Sequence, residues 1–239
     1  MGILNTEKLS NRLDTVAGFV TKGSKLADIG SDHAYLPCFL AKKGVISFAI
    51  AGEVVAGPFE SARKQVLAEE LSDAIDVRMG DGLDVLQPGE VDCITIAGMG
   101  GALITSILER GKEKLHSVKR LVLQPNISAI SIRKWLLENS WELVGEEILE
   151  EDGKIYEILV AEKGEPERPY STQKEAGLLL GPFLLQKREE PFKKKWSLEI
   201  ANWQRIYEQL ENASKTAETV QKKHELLLTI KLVEEVLAE

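Results

Sequence analysis

Residues 25–37 read KLADIGSDHAYLP, an apolar run that ends in Asp28, turns at Gly30 and continues into Ser31, Asp32 and His33. Two carboxylates and a histidine within six residues would repel a phosphate at close range. The same groups suit a sugar hydroxyl, an amine or a cation. Further chemistry-bearing residues follow at intervals: Glu53 in AGEV, Asp81 between Gly80 and Gly82, the cluster Ala97-Gly98-Met99-Gly100-Gly101, and Gln124-Pro125-Asn126. Each group sits just after an apolar run, so the elements that hold them decide whether they meet.

Those elements alternate. Apolar spacing predicts a helix over 5–21, with Leu9, Leu13, Val16 and Val20 on one face. Strands are expected at 25–30, 47–54, 75–83, 91–101 and 120–126. Helices are expected at 35–44, 57–71, 102–115 and 128–141. Residues 142–164 read as two strands joined at Asp152-Gly153, a hairpin signal. About five strand–helix alternations closed by a hairpin predict an α/β fold with a parallel, doubly wound sheet. Ligands in such sheets bind beyond the C-terminal strand ends, which is where the polar residues and glycines recur.

Two cofactor classes suit a site at the first strand end. A dinucleotide wants G-x-G-x-x-G for close approach of its pyrophosphate. Here only Gly30 is present, and Asp32 stands where a second glycine belongs. S-adenosylmethionine has no phosphate and carries a sulfonium and an amino group, so acidic lining favours it. Glu53 is placed to accept from the ribose hydroxyls and Asp81 from the adenine amine. Gly80 and Gly82 would let backbone approach the ring. An acid at a strand end also serves as a helix cap; three in this order argue for a cofactor site.

DIGSDHAYLP, AGEV, GDGL, IAGMGG and LQPN together resemble the bacterial tRNA (adenine-N1)-methyltransferases of the TrmK type, which modify adenine 22 of tRNA. The resemblance covers about residues 5–162, and the helical tail is similar to that family's C-terminal extension. It implies a class I, Rossmann-like methyltransferase fold, S-adenosylmethionine as donor and tRNA as acceptor. On the matching motifs, Asp28, Gly30, Asp32 and His33 would line the methionine end, Glu53 the ribose, and Asp81 with Gly82 the adenine. Ala97, Gly98 and Met99, in the loop after the fourth strand, would face the methyl group and acceptor. Asp32 or Asn126, with His33 and Gln124 nearby, are the candidates for contact with the target adenine. Asn126 also reads as an N-cap for the following helix, and His33 as a structural partner of Asp32.

The chain has 239 residues, 44% hydrophobic and 28% charged, with a net charge of −8. No apolar run is long enough for a membrane span. Met1-Gly2 with Thr6 matches a myristoylation pattern too loosely to carry weight. Cys38 and Cys93 read as buried free thiols of a cytoplasmic protein, with no metal or disulfide spacing. The expected division is a methyltransferase domain over 1–164 and a helical extension over 165–239. That extension reads as a coiled-coil-like pair of antiparallel helices broken near Asn212-Ala213-Ser214. Its basic run, Lys187, Arg188, Lys193, Lys194 and Lys195, is the candidate grip on tRNA phosphates. Self-association through the same helices is the competing role. A second basic group, Arg110, Lys112, Lys114, Lys119 and Arg120 with Arg133 and Lys134 beyond, is expected to flank the site from another side.

A nucleotide-dependent oxidoreductase is disfavoured by the single glycine and Asp32. An inactive RNA-binding module of methyltransferase fold, or a methyltransferase for another acceptor, would keep much of the same donor site. Only the resemblance specifies tRNA and N1.

Overall fold

The computed structural model describes residues 7–211 and 216–238. The expected break at Asn212-Ala213-Ser214 lies outside the described residues, as do Met1, Gly2 and Thr6.

The alternation yields β1 (Ser24–Ile29), α2 (Tyr35–Lys42), β2 (Ile46–Glu53), α3 (Ala56–Ala68), β3 (Ile75–Met79), β4 (Cys93–Gly100), α4 (Gly101–Arg110), β5 (Arg120–Ile127) and α5 (Ala129–Glu138). Ahead of them lies α1 (Asn11–Gly18), whose first turn is capped by the Ser10 hydroxyl accepting from the Leu13 amide at 3.2 Å. The hairpin follows as β6 (Trp141–Glu151) and β7 (Lys154–Lys163). Its turn has positive φ at both Asp152 (49°) and Gly153 (73°), the backbone that a two-residue connection between twisted strands requires.

One seven-stranded sheet results, in the order β3-β2-β1-β4-β5-β7-β6. β1 to β5 pair in parallel, and β7 runs antiparallel to both β5 and β6. Strand order reverses between β1 and β4, so the crevice opens there. The period-2 alternation of β5 shows how both faces are covered. Leu121 and Leu123 join the core under α4 and α5, whereas Val122 joins the core under α1, α2 and α3. Cys38 and Cys93 are buried free thiols, pushed up to about 12 by burial.

Three stretches end earlier than periodicity suggests. α1 occupies only part of 5–21. The strand expected over 75–83 stops at Met79, and Gly82–Val85 forms a 3-10 turn. α4 stops at Arg110 with Gly111 as its cap, and Lys112–Leu115 forms a second 3-10 turn.

The extension holds more structure than two helices. Short α6 (Lys174–Leu180) and α7 (Pro182–Lys187) precede α8 (Glu190–Glu211) and α9 (Ala217–Ala238). Leu180, Leu184, Phe192, Trp196, Val233 and Val236 share a core with Ile148 of β6. The extension is therefore seated on the hairpin. Beneath that seat lies a buried ionic cluster. The Arg133 guanidinium, fully buried on α5, lies 2.6 Å from Glu146 and 3.1 Å from Glu157. It also donates to the Leu179 carbonyl of α6 at 3.1 Å, while Glu146 accepts from the Phe183 amide of α7 at 3.0 Å. Lys195 of α8 closes the cluster on Glu157 at 2.5 Å.

The second basic group does not flank the crevice as a unit. Arg120 starts β5, at the opposite sheet end, and binds Glu162 and the Phe19 carbonyl. Lys119 faces Asp92 at that same end. Arg133 is buried in the cluster above. The start of a strand and its preceding loop lie at the opposite end of the sheet from the crevice, which a linear charge count does not register. Among the described residues, no helix is long and apolar enough to cross a membrane.

Candidate active site at the strand ends

Asp28, next to last in β1, is buried. Its carboxylate accepts from the Ser31 hydroxyl and the Thr95 hydroxyl, each at 2.6 Å. Burial raises its pKa; the two hydroxyls and the more distant Arg12 charge offset part of that shift. Thr95 is a lone polar residue inside the apolar strand β4. That oddity was the available sequence signal for a role sequence reading missed.

The chain then turns through Gly30 at φ 70°, where any Cβ would collide with the Met99 methyl. The positive φ favours glycine, and a larger residue would also have to displace the flexible Met99 side chain. Asp32, His33 and Ala34 all follow at positive φ (41°, 64° and 55°) before α2 begins. Such backbone is costly for residues with side chains and clusters at binding sites. Its consequence is visible at once: the Asp32 amide points at β2 and donates to Glu53 Oε1. The Gly30 amide also donates to the Gly52 carbonyl, at 2.9 Å. Glu53 is buried, and burial raises its pKa. The Asp32 amide lowers it again, and the charges of Asp28 and Asp32 push it up. His33 lies 3.5 Å from the exposed Asp32 carboxylate and stacks on Tyr35 with ring centroids 5.3 Å apart.

Asp81 and Gly82 lie at the end of the next strand, as expected. The Asp81 carboxylate is engaged by Arg110 of α4 at 2.7 and 3.2 Å. This half-exposed pair was not foreseen, because its members lie 29 residues apart. An adenine amine reaching Asp81 would share the carboxylate with Arg110.

On the other side of the crevice the end of β4 is bulged at Gly98, φ 81°. A polar network holds the bulge. Buried Gln124 accepts through Oε1 from the Gly98 amide at 3.0 Å and from Arg12 at 2.5 Å. Its amide nitrogen donates to Asn126 Oδ1 at 3.3 Å, and Asn126 Nδ2 donates to the Gly98 carbonyl at 2.7 Å. Two donors facing Gln124 Oε1 fix both amide orientations. Asn126 thus bonds to the β4 loop. The N-cap of α5 is Ser128, which makes no side-chain cap bond. Arg12, which also lies over the Tyr156 ring at 5.5 Å, arrives from α1 and was missed. Nothing in its local sequence marks it.

The fold therefore brings Asp28, Gly30, Asp32, His33, Glu53, Asp81 and Gly82 to one wall. Ala97, Gly98, Met99 and Asn126 lie at the adjoining ends of β4 and β5. The residues fit S-adenosylmethionine: among the described residues Asp28 and Glu53 at β1 and β2 have no ion-pair partner, and the chain turns beside them through Gly30 at positive φ. Lys187, Arg188, Lys193, Lys194 and Lys195 lie on α7, α8 and the bend between them. Lys187 pairs with Glu147 at 2.8 Å and Lys194 with Glu150 at 2.6 Å, beside the Lys195–Glu157 pair. Lys193 faces Glu190 at 3.6 Å on its own helix.

The profile of the tRNA (adenine(22)-N(1))-methyltransferase family matches residues 26–235. The chain belongs to this family. The Bacillus subtilis (strain 168) tRNA (adenine(22)-N(1))-methyltransferase is 51% identical over 235 residues, covering 98% of this chain and 99% of that protein. The crystal structure of the B. subtilis M1A22 tRNA methyltransferase TrmK superposes with a TM-score of 0.94, covering 97% of this chain and 99% of that one. A Streptococcus pneumoniae relative, solved in complex with S-adenosyl-L-methionine, is 43% identical with a TM-score of 0.81, covering 96% of this chain and all of that one. These methyltransferases share the whole architecture, extension included.

Proposed function

We propose that this protein is an S-adenosylmethionine-dependent methyltransferase that modifies N1 of an adenine in tRNA. The observation that carries the reading is the pair of buried carboxylates, Asp28 and Glu53, held at the β1 and β2 ends beside the bulged β4 end with no ion-pair partner among the described residues. Family membership supplies the acceptor.

When bound, S-adenosylmethionine supplies an electrophilic methyl group on a cationic sulfur. Glu53 is the acceptor for ribose hydroxyls, and its second oxygen is left for that purpose by the Asp32 bond to Oε1. Asp28 and Asp32 favour the cationic methionine end electrostatically, and the Gly30 turn admits it. Gly82 and Asp81 border the adenine position.

On the acceptor side, N1 of adenine already carries a lone pair, so no base is needed to create the nucleophile. In a base pair that lone pair is hidden, and the nucleotide must open at a cost of a few kcal/mol. Alignment is then the main contribution of the protein. The Gln124–Asn126–Gly98 network gives a rigid rim for it. Asn126 retains a second amide hydrogen, and Asp32 is an exposed carboxylate suited to the exocyclic amine of a ring that becomes cationic on methylation. Phosphates of the tRNA are met by the exposed Lys187, Lys193 and Lys194 of α7 and α8, whereas Lys195 stays on buried Glu157. Surface lysines in ion pairs exchange partners at little cost.

The test is transfer of labelled methyl from S-adenosylmethionine to unmodified bacterial tRNA, followed by nucleoside mass analysis. 1-Methyladenosine is the expected product. Donor binding without tRNA methylation would return the acceptor to an open question. Replacing Lys193 and Lys194 by glutamine should lower the salt slope of tRNA binding by roughly one unit per lost phosphate contact.

A further inference from the structure

A pocket of about 240 Å³ opens beside the acceptor rim, between the β5–α5 loop, the β6–β7 hairpin and α8. Asn126, Ile127, Ile155, Lys195, Leu198 and Glu199 line it. Two of these are large aliphatic side chains left in water: Ile127 is 72% exposed and Leu198 is 60% exposed. They come from elements far apart in sequence and serve one opening. Glu199 is half-buried and, among the described residues, has neither an ion pair nor a hydrogen bond. The deeper Glu157 is fully engaged by Arg133 and Lys195.

We propose that this pocket binds one unstacked nucleobase of the tRNA, other than the methylated adenine, that carries an exocyclic amine. The inference rests on the function proposed above and adds a second base subsite to it. Continuity supports it: Asn126 belongs both to the network that holds Gly98 and to the pocket wall. Size supports it as well, because the volume is below the roughly 300–1,000 Å³ of drug-sized ligand sites and suits a single planar ring system. The aliphatic walls would remove the faces of a base from water, and the unpaired Glu199 carboxylate would accept from its amine. Lys195 retains ammonium hydrogens beyond the one given to Glu157. The pocket is held open in advance, since the Arg133–Glu146–Glu157–Lys195 cluster locks α8 to the sheet. Opening the target adenine from its pair exposes other bases of the same helix end. Holding one of them here would offset that cost, acting on the open state of the substrate.

The test compares wild type, Leu198→Ser and Glu199→Gln in methyl transfer to intact tRNA and to transcripts carrying one abasic nucleotide at each position around the target. Wild type should lose about ten-fold in kcat/KM at one abasic position. Each variant should lose a similar factor on intact tRNA and nothing further at that position, as coupled partners do. Donor affinity and melting temperature should be unchanged; Glu199→Gln is near-isosteric and guards against a packing defect in Leu198→Ser. Variants that match wild type on intact tRNA, or that lose the same factor as wild type at every abasic position, overturn the pocket while leaving the methyltransferase reading intact. Absence of 1-methyladenosine with wild type overturns both.

Discussion

Two groups of buried carboxylates in the molecule differ in whether a cation meets them. Glu146 and Glu157 meet Arg133 and Lys195, and their oxygens are saturated by guanidinium, ammonium and backbone N–H groups. Asp28 and Glu53 are buried with hydroxyls and one amide but, among the described residues, no cation in contact. Burial raises the pKa of both, and for Glu53 the neighbouring acids add to the effect. For Glu157 burial also acts upward, yet Lys195 and Arg133 hold the net value below that of an ordinary glutamate; Glu146, with Arg133 as its one ion-pair partner among the described residues and Glu157 beside it, stays raised by burial. A neutralised cluster fastens the extension to the sheet. An unneutralised one stores an unmet demand for hydrogen-bond donors and positive charge, which a ribose and a methionine end can meet. Burial alone does not separate architecture from function; the presence of a partner does.

The comparison can be broken most forcefully at Arg133. Arg133→Ala leaves the buried Glu146 with no cation and Glu157 with Lys195 alone, and should cost about 3–5 kcal/mol of folding stability, read by denaturant unfolding. A loss below about 1 kcal/mol would mean that the cluster is not what seats the extension. Arg133→Met combined with Glu146→Leu and Glu157→Leu should recover much of that loss, because no fully buried charge is then orphaned and the partly exposed Lys195 can turn to water.

Glu53→Ala should do the reverse. Charged hydrogen bonds are worth about 1.5–3 kcal/mol, so donor affinity should fall roughly ten- to a hundred-fold by calorimetry. Melting temperature should hold or rise, since an ill-solvated carboxylate has been removed. A destabilised variant with normal affinity would place Glu53 with the architectural acids.

Acidification sharpens the contrast. A raised folded pKa means that the folded state holds the proton more tightly. Stability from Glu53 therefore increases as pH falls between the raised value and the ordinary 4.5. Donor affinity falls through that same window, as the acceptor carboxylate is protonated. Glu157, with its lowered pKa, keeps its ion pairs through the window and loses them only further into acid. A pH series of donor affinity for wild type and Glu53→Gln checks this; the variant should lose the acid-dependent component.

The smallest effect is expected at Arg110, whose pair with Asp81 is solvent-exposed. Arg110→Gln should leave the melting temperature unchanged and donor affinity within about two-fold, because such pairs contribute little. A ten-fold loss of affinity would show that the pair, rather than Asp81 with Gly82, shapes the adenine wall.

Much of the proposed donor wall is legible in the sequence alone. Strand ends recur at short spacing, and each places an acid or glycines where a doubly wound sheet has its crevice. The acceptor wall was legible only in part. Gln124 and Asn126 stood out, but Arg12 joins them across 112 residues and Thr95 reaches Asp28 across 67. The basic runs were legible as charge and not as position. Lys187, Lys194 and Lys195 face a row of glutamates on β6 and β7 some 38–44 residues away. α6 and α7 escaped notice because each is too short to show a helical period.

By itself the sequence determined the alternation of elements, the sheet class, the order of acids at the strand ends and hence the kind of cofactor. These follow from local rules: hydrophobic period, turn residues and the charge of a loop. Only the tertiary structure decided which acids were neutralised, which cations reached them, and that the extension completes a pocket beside Asn126. Those outcomes depend on pairings between distant segments, and no local periodicity encodes which buried charge will find its partner.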